Sequence, residues 1–223
     1  MNLEEDERLA HDIQLKGRLR KRNHLRYLSY FQVPRIDKFI FKKPLHILLL
    51  TNGMILLASA MLGPIYALFV DQVGGDLLDA SLAGAAFSLA AGFTVLISGK
   101  ITDRVKEQEL ILVFGYIIMG LGFLFYLLVS SMWTLLLAQI IIGFGEAIYV
   151  PAFDAVYSKH LDDDNIGSQW GAWESMNYFT AAAGAVVGGA IVTKFGFDPL
   201  FLIMGVLSVA SGVYIYRLPR KVL

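Results

Sequence analysis

The stretch IIIGFGEAIYVP, residues 140–151, places a single carboxylate, Glu146, inside an otherwise apolar run. A charge in the hydrocarbon part of a bilayer is costly, so the first question is whether this run crosses a membrane. The composition indicates that it does. Of the 223 residues, 56% are hydrophobic and 17% are charged, and the mean hydropathy is +0.58. A soluble domain carries about a quarter charged residues.

Six mostly apolar segments are long enough to cross a bilayer, whose hydrocarbon core requires about 20 apolar residues per helix. Backbone groups in lipid must be hydrogen-bonded within the protein, and runs of this length exceed the strands of a membrane barrel. The sequence therefore predicts an all-α membrane protein with six transmembrane helices. We number the segments span 1 to span 6; they lie at roughly 45–70, 80–101, 110–129, 133–157, 167–192 and 200–216.

The Lys and Arg residues lie mainly on one side of these spans. That side holds the N-terminal segment 1–44, the loops after spans 2 and 4, and the tail 218–223, whereas Lys194 falls on the other side. Loops rich in Lys and Arg stay in the cytoplasm. We therefore expect a multi-pass protein of the cell (inner) membrane, with a bundle at 45–217 and with both termini cytoplasmic.

The N-terminal segment combines apolar residues at loosely helical spacing with the basic run KGRLRKRNHLR, residues 16–26. A basic amphipathic helix can lie on an anionic membrane surface or bind a partner. The alternative is a partly ordered tail that only enforces orientation. Nucleic-acid binding is not expected, because the run is short and anionic lipid already accounts for it.

The loop between spans 2 and 3, GKITDRVKEQ, contains Gly99, Asp103 and Arg104. In residue type and spacing these three resemble the cytoplasmic loop signature of the major facilitator superfamily. At the position of the second Gly of that signature, this chain has Lys106. The resemblance implies that Asp103 and Arg104 act in gating, by stabilising one conformation of a transport cavity. The alternative is an ordinary positive loop that only sets topology.

Two further elements are similar to motifs of the same family. In span 5, GAVVGG at 184–189 has the spacing of the Gly-Pro-x-x-Gly-Gly element of the antiporter branch, with Ala185 in place of Pro. In span 4, QIIIGFGEA at 139–147 resembles the element Arg-x-x-x-Gly-x-Gly, with Gln139 in place of Arg. The family associates that Arg with proton coupling, so this chain departs from the usual proton relay.

The resemblance covers about 45–217 and implies one six-helix half of a fold that normally has twelve. It implies a secondary active transporter of a small molecule that works by alternating access, with a proton or another ion as a possible coupling species. In the family, helices 1, 2, 4 and 5 line the pathway. The alternative function is a non-transporting membrane subunit, or a half-type partner in a heteromeric complex.

Polar residues within the spans are the candidate substrate or proton site. Gln139, Glu146 and Tyr149 recur at helical spacing, so we expect them on one face of span 4, directed at a cavity. The alternative is a structural Glu146, protonated and hydrogen-bonded to a neighbouring helix. Spans 1 and 5 add further polar candidates, namely Asn52, Ser59, Tyr66, Glu174, Asn177 and Tyr178. Asp154, nearer the cytoplasmic end, is expected to pair with Arg104 or Lys106.

Small residues four apart allow two helices to approach closely. One such stripe lies in span 2 and another in span 5; their members are Gly84, Ser88, Gly92, Gly184 and Gly188. We expect both stripes at the interface of a parallel homodimer, because two copies with one fixed orientation could rebuild a twelve-helix transporter. Packing within one chain, a heterodimer and a second half missing from this sequence are the alternatives.

Other chemistries lack a signal in the sequence. The chain has no Cys, and His11, His24, His46 and His160 show no metal-ligand spacing. No nucleophile elbow, phosphate loop or metalloprotease motif is present. We therefore expect no cofactor, no metal and no enzymatic activity, and we expect membrane lipid and a small-molecule substrate as the non-protein partners.

Overall fold

The structure is a computed structural model that describes residues 42–219 and 222–223. The predicted N-terminal amphipathic helix lies outside the described residues. Six helical segments in the described chain are long and apolar enough to cross a membrane, which confirms the predicted number of spans. Their bounds are Lys43–Gln72, Leu77–Thr102, Gln108–Leu128, Met132–Lys159, Ile166–Phe195 and Phe197–Tyr216, and they keep the numbers of the predicted segments.

Span 1 is interrupted two thirds of the way along. The helix Lys43–Leu62 is followed by a 3-10 turn, Gly63–Ile65, and by the short helix Tyr66–Gln72. Pro64 lies in the turn, where its missing N–H and fixed φ disfavour a continuous α-helix. The break changes the direction in which the side chains after it are presented.

Local sequence explains where spans 2 and 4 begin. The Asp76 carboxylate accepts a hydrogen bond from the Asp79 N–H at 2.9 Å, and the Asp79 carboxylate accepts one from the Asp76 N–H at 3.0 Å. Ser131 and Thr134 make the equivalent reciprocal cap at span 4. Such boxes satisfy amide groups that have no partner within the helix.

The spans pack in the order 2–4–3–6–1–5. Span 4 therefore lies between spans 2 and 3, while spans 2 and 5 are at the two ends of the series. In the most apolar stretch of span 2 or span 5, 11% of the residues are buried, against 56% in span 4. Spans 2 and 5 consequently present open apolar faces.

Two glycines allow span 4 to contact both of its neighbours at backbone distance. A Cβ atom on Gly143 would lie 2.5 Å from the carbonyl oxygen of Phe87 in span 2. A Cβ on Gly145 would lie 2.8 Å from the backbone nitrogen of Met119 in span 3. Residues two apart point to opposite sides of a helix, so the Gly-x-Gly element allows span 4 to be held between spans 2 and 3.

A proline in span 4 is compensated by a serine in span 2. Pro151 lies inside the helix and has no N–H to donate to the carbonyl of Ala147, four residues earlier. The Ser98 hydroxyl donates a hydrogen bond to that carbonyl oxygen, and Ser98 is only 4% exposed. This bond satisfies a carbonyl group that the proline leaves without its usual donor.

The glycines of span 5 correct part of the predicted dimer interface. A Cβ on Gly184 would lie 2.7 Å from the Cβ of Ala60, and one on Gly188 would collide with the carbonyl of Met61. Both neighbours belong to span 1 of the same chain. The prediction that Gly184 and Gly188 face a second copy is therefore wrong, because close packing on span 1 already covers them.

The stripe of span 2 has a different environment. A Cβ on Gly84 or Gly92 would meet no atom within 4 Å, and Ser88 is exposed. The Ser88 hydroxyl donates to the carbonyl of Gly84 in its own helix at 2.9 Å. Within the described chain this stripe lies on an open face, and its role in assembly stays a prediction.

Candidate functional site

The Glu146 cavity, with a volume of about 310 Å³, lies among spans 1, 2, 3, 4 and 6. Its polar lining comes from spans 1 and 4, and its aromatic lining comes from spans 2 and 3. The polar residues are Ser59, Tyr66, Gln139 and Glu146, and the aromatic rings besides Tyr66 are Phe87, Phe123 and Tyr126. The structure thus brings two of the predicted span 4 residues into one cavity, together with two of the polar candidates of span 1.

Glu146 is half-buried, and its carboxylate is not used in a salt bridge within the described residues. The ion pair found there joins Lys42 and Asp162. Its position follows from the helix, because Gln139 and Glu146 are two turns apart and share a face. A carboxylate facing a cavity at membrane depth is typical of a substrate or ion site.

Tyr66 of span 1 and Gln139 of span 4 line the same cavity. Gln139 is 8% exposed and lies beside the Tyr66 hydroxyl. That hydroxyl is buried and lacks a hydrogen bond of standard geometry with the described residues. A buried hydroxyl without a partner is costly, so a ligand that accepts or donates a hydrogen bond there would relieve the cost.

Two predicted site residues belong to a different cluster. The Tyr116 hydroxyl donates a hydrogen bond to Asn52 Oδ1 at 3.2 Å, and the rings of Tyr116 and Tyr149 are 4.9 Å apart between centroids. Asn52 and Tyr149 are buried, at 2% and 5% exposure, and neither lines the Glu146 cavity. They join spans 1, 3 and 4 to one another.

The polar candidates of span 5 are also apart from this cavity. Glu174 is exposed and Asn177 is half-buried, and neither is among the residues lining the cavity. Span 5 reaches the bundle mainly through span 1. As site residues, Glu174 and Asn177 stay predictions.

The charged loop after span 2 does not form the predicted ion pair with Asp154. Asp103, Arg104 and Asp154 are all exposed. Among residues 42–219 no ion pair joins Asp154 to Arg104 or Lys106, so the predicted salt bridge is wrong. The side chains are long and solvated at this end of the bundle, where pairing gains little.

Gln108, which the sequence reasoning did not single out, carries the contacts of this loop instead. Its Nε2 donates to the Thr102 carbonyl at 2.8 Å, and Lys159 Nζ donates to its Oε1 at 2.8 Å. Gly99 contributes through its carbonyl, which accepts a hydrogen bond from the Asp103 N–H at 3.1 Å. Gln108 thereby connects the ends of spans 2 and 4.

A second network joins the same end of span 4 to spans 1 and 5. Lys42 forms a salt bridge with Asp162, and the Asp162 N–H donates to Gln169 Oε1 at 2.8 Å. The Tyr157 hydroxyl donates to the Gln169 carbonyl at 2.6 Å. Hydrogen bonding to Lys42 lowers the pKa of the Asp162 carboxyl.

The described residues contain no group of three His, Cys, Asp or Glu side chains placed to hold a metal ion. The chemistry available in the Glu146 cavity is therefore that of one carboxylate, one amide, three hydroxyls and a set of aromatic rings. Such a site can bind, orient and exchange a proton with a small molecule.

Comparison with known proteins gives one family. The sequence profile of the Major Facilitator Superfamily matches residues 48–222. The protein named Multidrug resistance protein MdtG in Serratia proteamaculans is 23% identical over 171 residues, which are 75% of this chain and 41% of that relative. Its namesake in Salmonella typhimurium is 22% identical over 178 residues, 78% of this chain and 44% of the relative. The chain spans less than half the length of these relatives.

Proposed function

The chain belongs to the Major Facilitator Superfamily, and we propose that it is half of a secondary transporter whose substrate site is the Glu146 cavity. The observation that carries the proposal is the half-buried carboxylate in a cavity, with no salt-bridge partner in the described chain. Purely structural carboxylates at membrane depth are normally paired or hydrogen-bonded. Glu146 is thus available to a substrate or to a coupling proton.

The lining of the cavity favours an amphipathic organic cation as substrate. Phe87, Phe123 and Tyr126 line the cavity with aromatic rings, a residue type that attracts cations, and Glu146 supplies the opposite charge. Gln139 and Tyr66 add hydrogen-bonding groups that could orient the ligand. The names of the relatives, multidrug resistance proteins, agree with a substrate of this kind.

Alternating access needs a second six-helix half opposite the first. The open faces of spans 2 and 5 are available to it, and the Gly84, Ser88 and Gly92 stripe allows close approach. We propose a second copy of this chain, related by an axis along the membrane normal.

A complex with twice the chain mass of 24.7 kDa is expected in detergent, and Gly92→Trp should reduce it to one chain. A wild-type complex with the mass of a single chain would argue against the homodimer.

Transport of ethidium, an amphipathic organic cation, into proteoliposomes tests the substrate site. Glu146→Gln removes the charge with little change of shape, and it should reduce uptake by about tenfold or more, a loss of at least about 1.4 kcal/mol of binding. Asp198→Asn removes the same charge and is the control, because Asp198 is exposed in the first turn of span 6 and does not line the cavity. Equal uptake by the Glu146 variant and wild type would refute the role of Glu146. No uptake by any variant would favour the non-transporting subunit.

The orientation of the bundle is proposed from the bias of Lys and Arg. The chain has no Cys, so single cysteines can be labelled without background. Asp76→Cys and Lys194→Cys should react with a membrane-impermeant thiol reagent in intact cells, and Lys106→Cys should not. Labelling only at position 106 would reverse the topology.

A further inference from the structure

A second concave surface lies outside the Glu146 cavity. This lipid groove has a volume of about 510 Å³ and lies between spans 2, 3 and 4. Its walls include Phe93 and Ile97 of span 2, Phe114 of span 3 and Phe144 of span 4. It shares no lining residue with the Glu146 cavity, so the two sites can be tested separately.

The groove offers an apolar surface whose polar side chains are already hydrogen-bonded. Its two polar residues are Thr94 and Ser98. The Thr94 hydroxyl donates to the Ala90 carbonyl at 2.6 Å, and the Ser98 hydroxyl donates to the Ala147 carbonyl. Because both hydroxyls are already bonded to backbone, the groove fits a hydrocarbon chain better than a polar ligand.

The groove lies on a different side of span 2 from the Gly84, Ser88 and Gly92 stripe. Successive residues of a helix are rotated by about 100°, so Phe93 is turned about 100° away from Gly92. Phe93 and Ile97 are 71% and 62% exposed, and they face the sector between spans 2 and 3. The occupant of the groove is therefore expected to come from the surrounding lipid.

The end of the groove carries positive charge. Lys100 is exposed, and it follows Phe93 by seven residues and Ile97 by three, so it shares their face of span 2. Arg104, also exposed, lies in the turn directly after the helix, which ends at Thr102. Asp103, the C-cap residue of this helix, lies between these two basic residues in the sequence. Lys and Arg at the membrane surface attract anionic headgroups.

We propose that the lipid groove binds one acyl chain of an anionic phospholipid whose phosphate lies against Lys100 and Arg104. The apolar walls hold the acyl chain, and the two basic side chains select the headgroup. The site lies beside the hydrogen bond from Ser98 to span 4, so the bound lipid would contact the junction between spans 2 and 4. The proposal does not depend on the transported substrate.

Native mass spectrometry of the purified full chain tests the proposal, with phosphatidylglycerol and phosphatidylcholine of matched acyl chains as probes. Wild type should retain phosphatidylglycerol at collision energies that remove phosphatidylcholine. Ile97→Trp fills the groove and should lower the bound fraction of phosphatidylglycerol by about tenfold. Because Ile97 is lipid-exposed, this change should leave the fold intact, and Phe93→Trp is a second variant with the same expectation.

Two matched controls separate a defined site from general lipid contact. Leu121→Trp places the same bulk in a different apolar depression, formed by spans 3 and 4, and it should leave phosphatidylglycerol binding unchanged. Lys100→Gln should abolish the preference for phosphatidylglycerol, whereas Lys194→Gln at the opposite end of the bundle should keep it. Equal losses for Ile97→Trp and Leu121→Trp, or equal retention of the two lipids by wild type, would overturn the proposal.

Discussion

Ser98→Ala removes one hydrogen bond between spans 2 and 4, and the structure indicates how much stability is lost with it. In Ser98→Ala, the Ala147 carbonyl loses its donor, because Pro151 has no N–H to replace it. A buried polar group left without a hydrogen-bond partner costs about 1–3 kcal/mol. Hydrogen bonds between helices in membrane proteins contribute about 0.6 kcal/mol on average and up to about 1.7 kcal/mol. We therefore expect a destabilisation of about 1–2 kcal/mol.

The matched control is Ser88→Ala, which removes the same hydroxyl from the same helix. The Ser88 hydroxyl bonds only the Gly84 carbonyl within span 2, and Ser88 is exposed. Its loss should change stability by less than about 0.5 kcal/mol. Reversible unfolding in mixed detergent micelles measures both, with the fluorescence of Trp170 and Trp173 as the signal; their rings lie 5.8 Å apart at the junction of spans 4 and 5.

A double-mutant cycle makes the reasoning refutable. Pro151→Ala supplies an N–H that can bond the Ala147 carbonyl within span 4. In that background Ser98→Ala should cost less than about 0.5 kcal/mol, giving a coupling energy of about 1 kcal/mol between two residues of different helices. An equal cost of Ser98→Ala with and without the proline would show that the carbonyl does not depend on Ser98.

Two further predictions concern packing and pH. Gly184→Leu should destabilise the single chain by about 2 kcal/mol or more, because the side chain would overlap Ala60 of span 1. Gly92→Leu is the control and should not destabilise the chain, because Gly92 has open space around it. Equal thermal stability of the two variants would contradict the packing of span 5 on span 1. The pKa of Asp162 is lower in the folded chain than in the unfolded chain, where it is about 3.9. The ionised carboxylate therefore adds to the free energy of unfolding at pH values above the unfolded pKa. This stabilisation is lost as the pH falls through the folded pKa. Wild type should therefore lose more stability in acid than Asp162→Asn, whereas parallel pH profiles would exclude a contribution from the Lys42 pair.

The spans were predictable because length and apolarity are local properties of the sequence. Their exact starts depend on single hydrogen bonds, as at span 2, where the Asp76 and Asp79 box begins the helix at Leu77 rather than near residue 80. The seven-residue spacing of Gln139 and Glu146 likewise places both side chains on one face whatever packs around them. These parts of the site follow from periodicity alone.

Other parts of the site depend on which helix covers each side of span 4. Tyr149 is three residues from Glu146 and is therefore turned about 60° away. That rotation is enough to place it against Tyr116 of span 3 instead of in the cavity. The glycine stripe of span 5 has the same ambiguity, since small residues predict close approach but do not identify the partner, which is span 1.

Span 4 combines these constraints within five residues. Gly143 contacts the backbone of span 2, Gly145 contacts the backbone of span 3, and the carbonyl of Ala147 accepts the bond from Ser98. Glu146 lies among these contacts and lines the cavity. Because close-packed backbones resist sliding, Glu146 is held at a fixed position relative to spans 2 and 3. We therefore expect that access to Glu146 changes by movement of the six-helix unit as a rigid body against a second half, and not by displacement of span 4 within the unit.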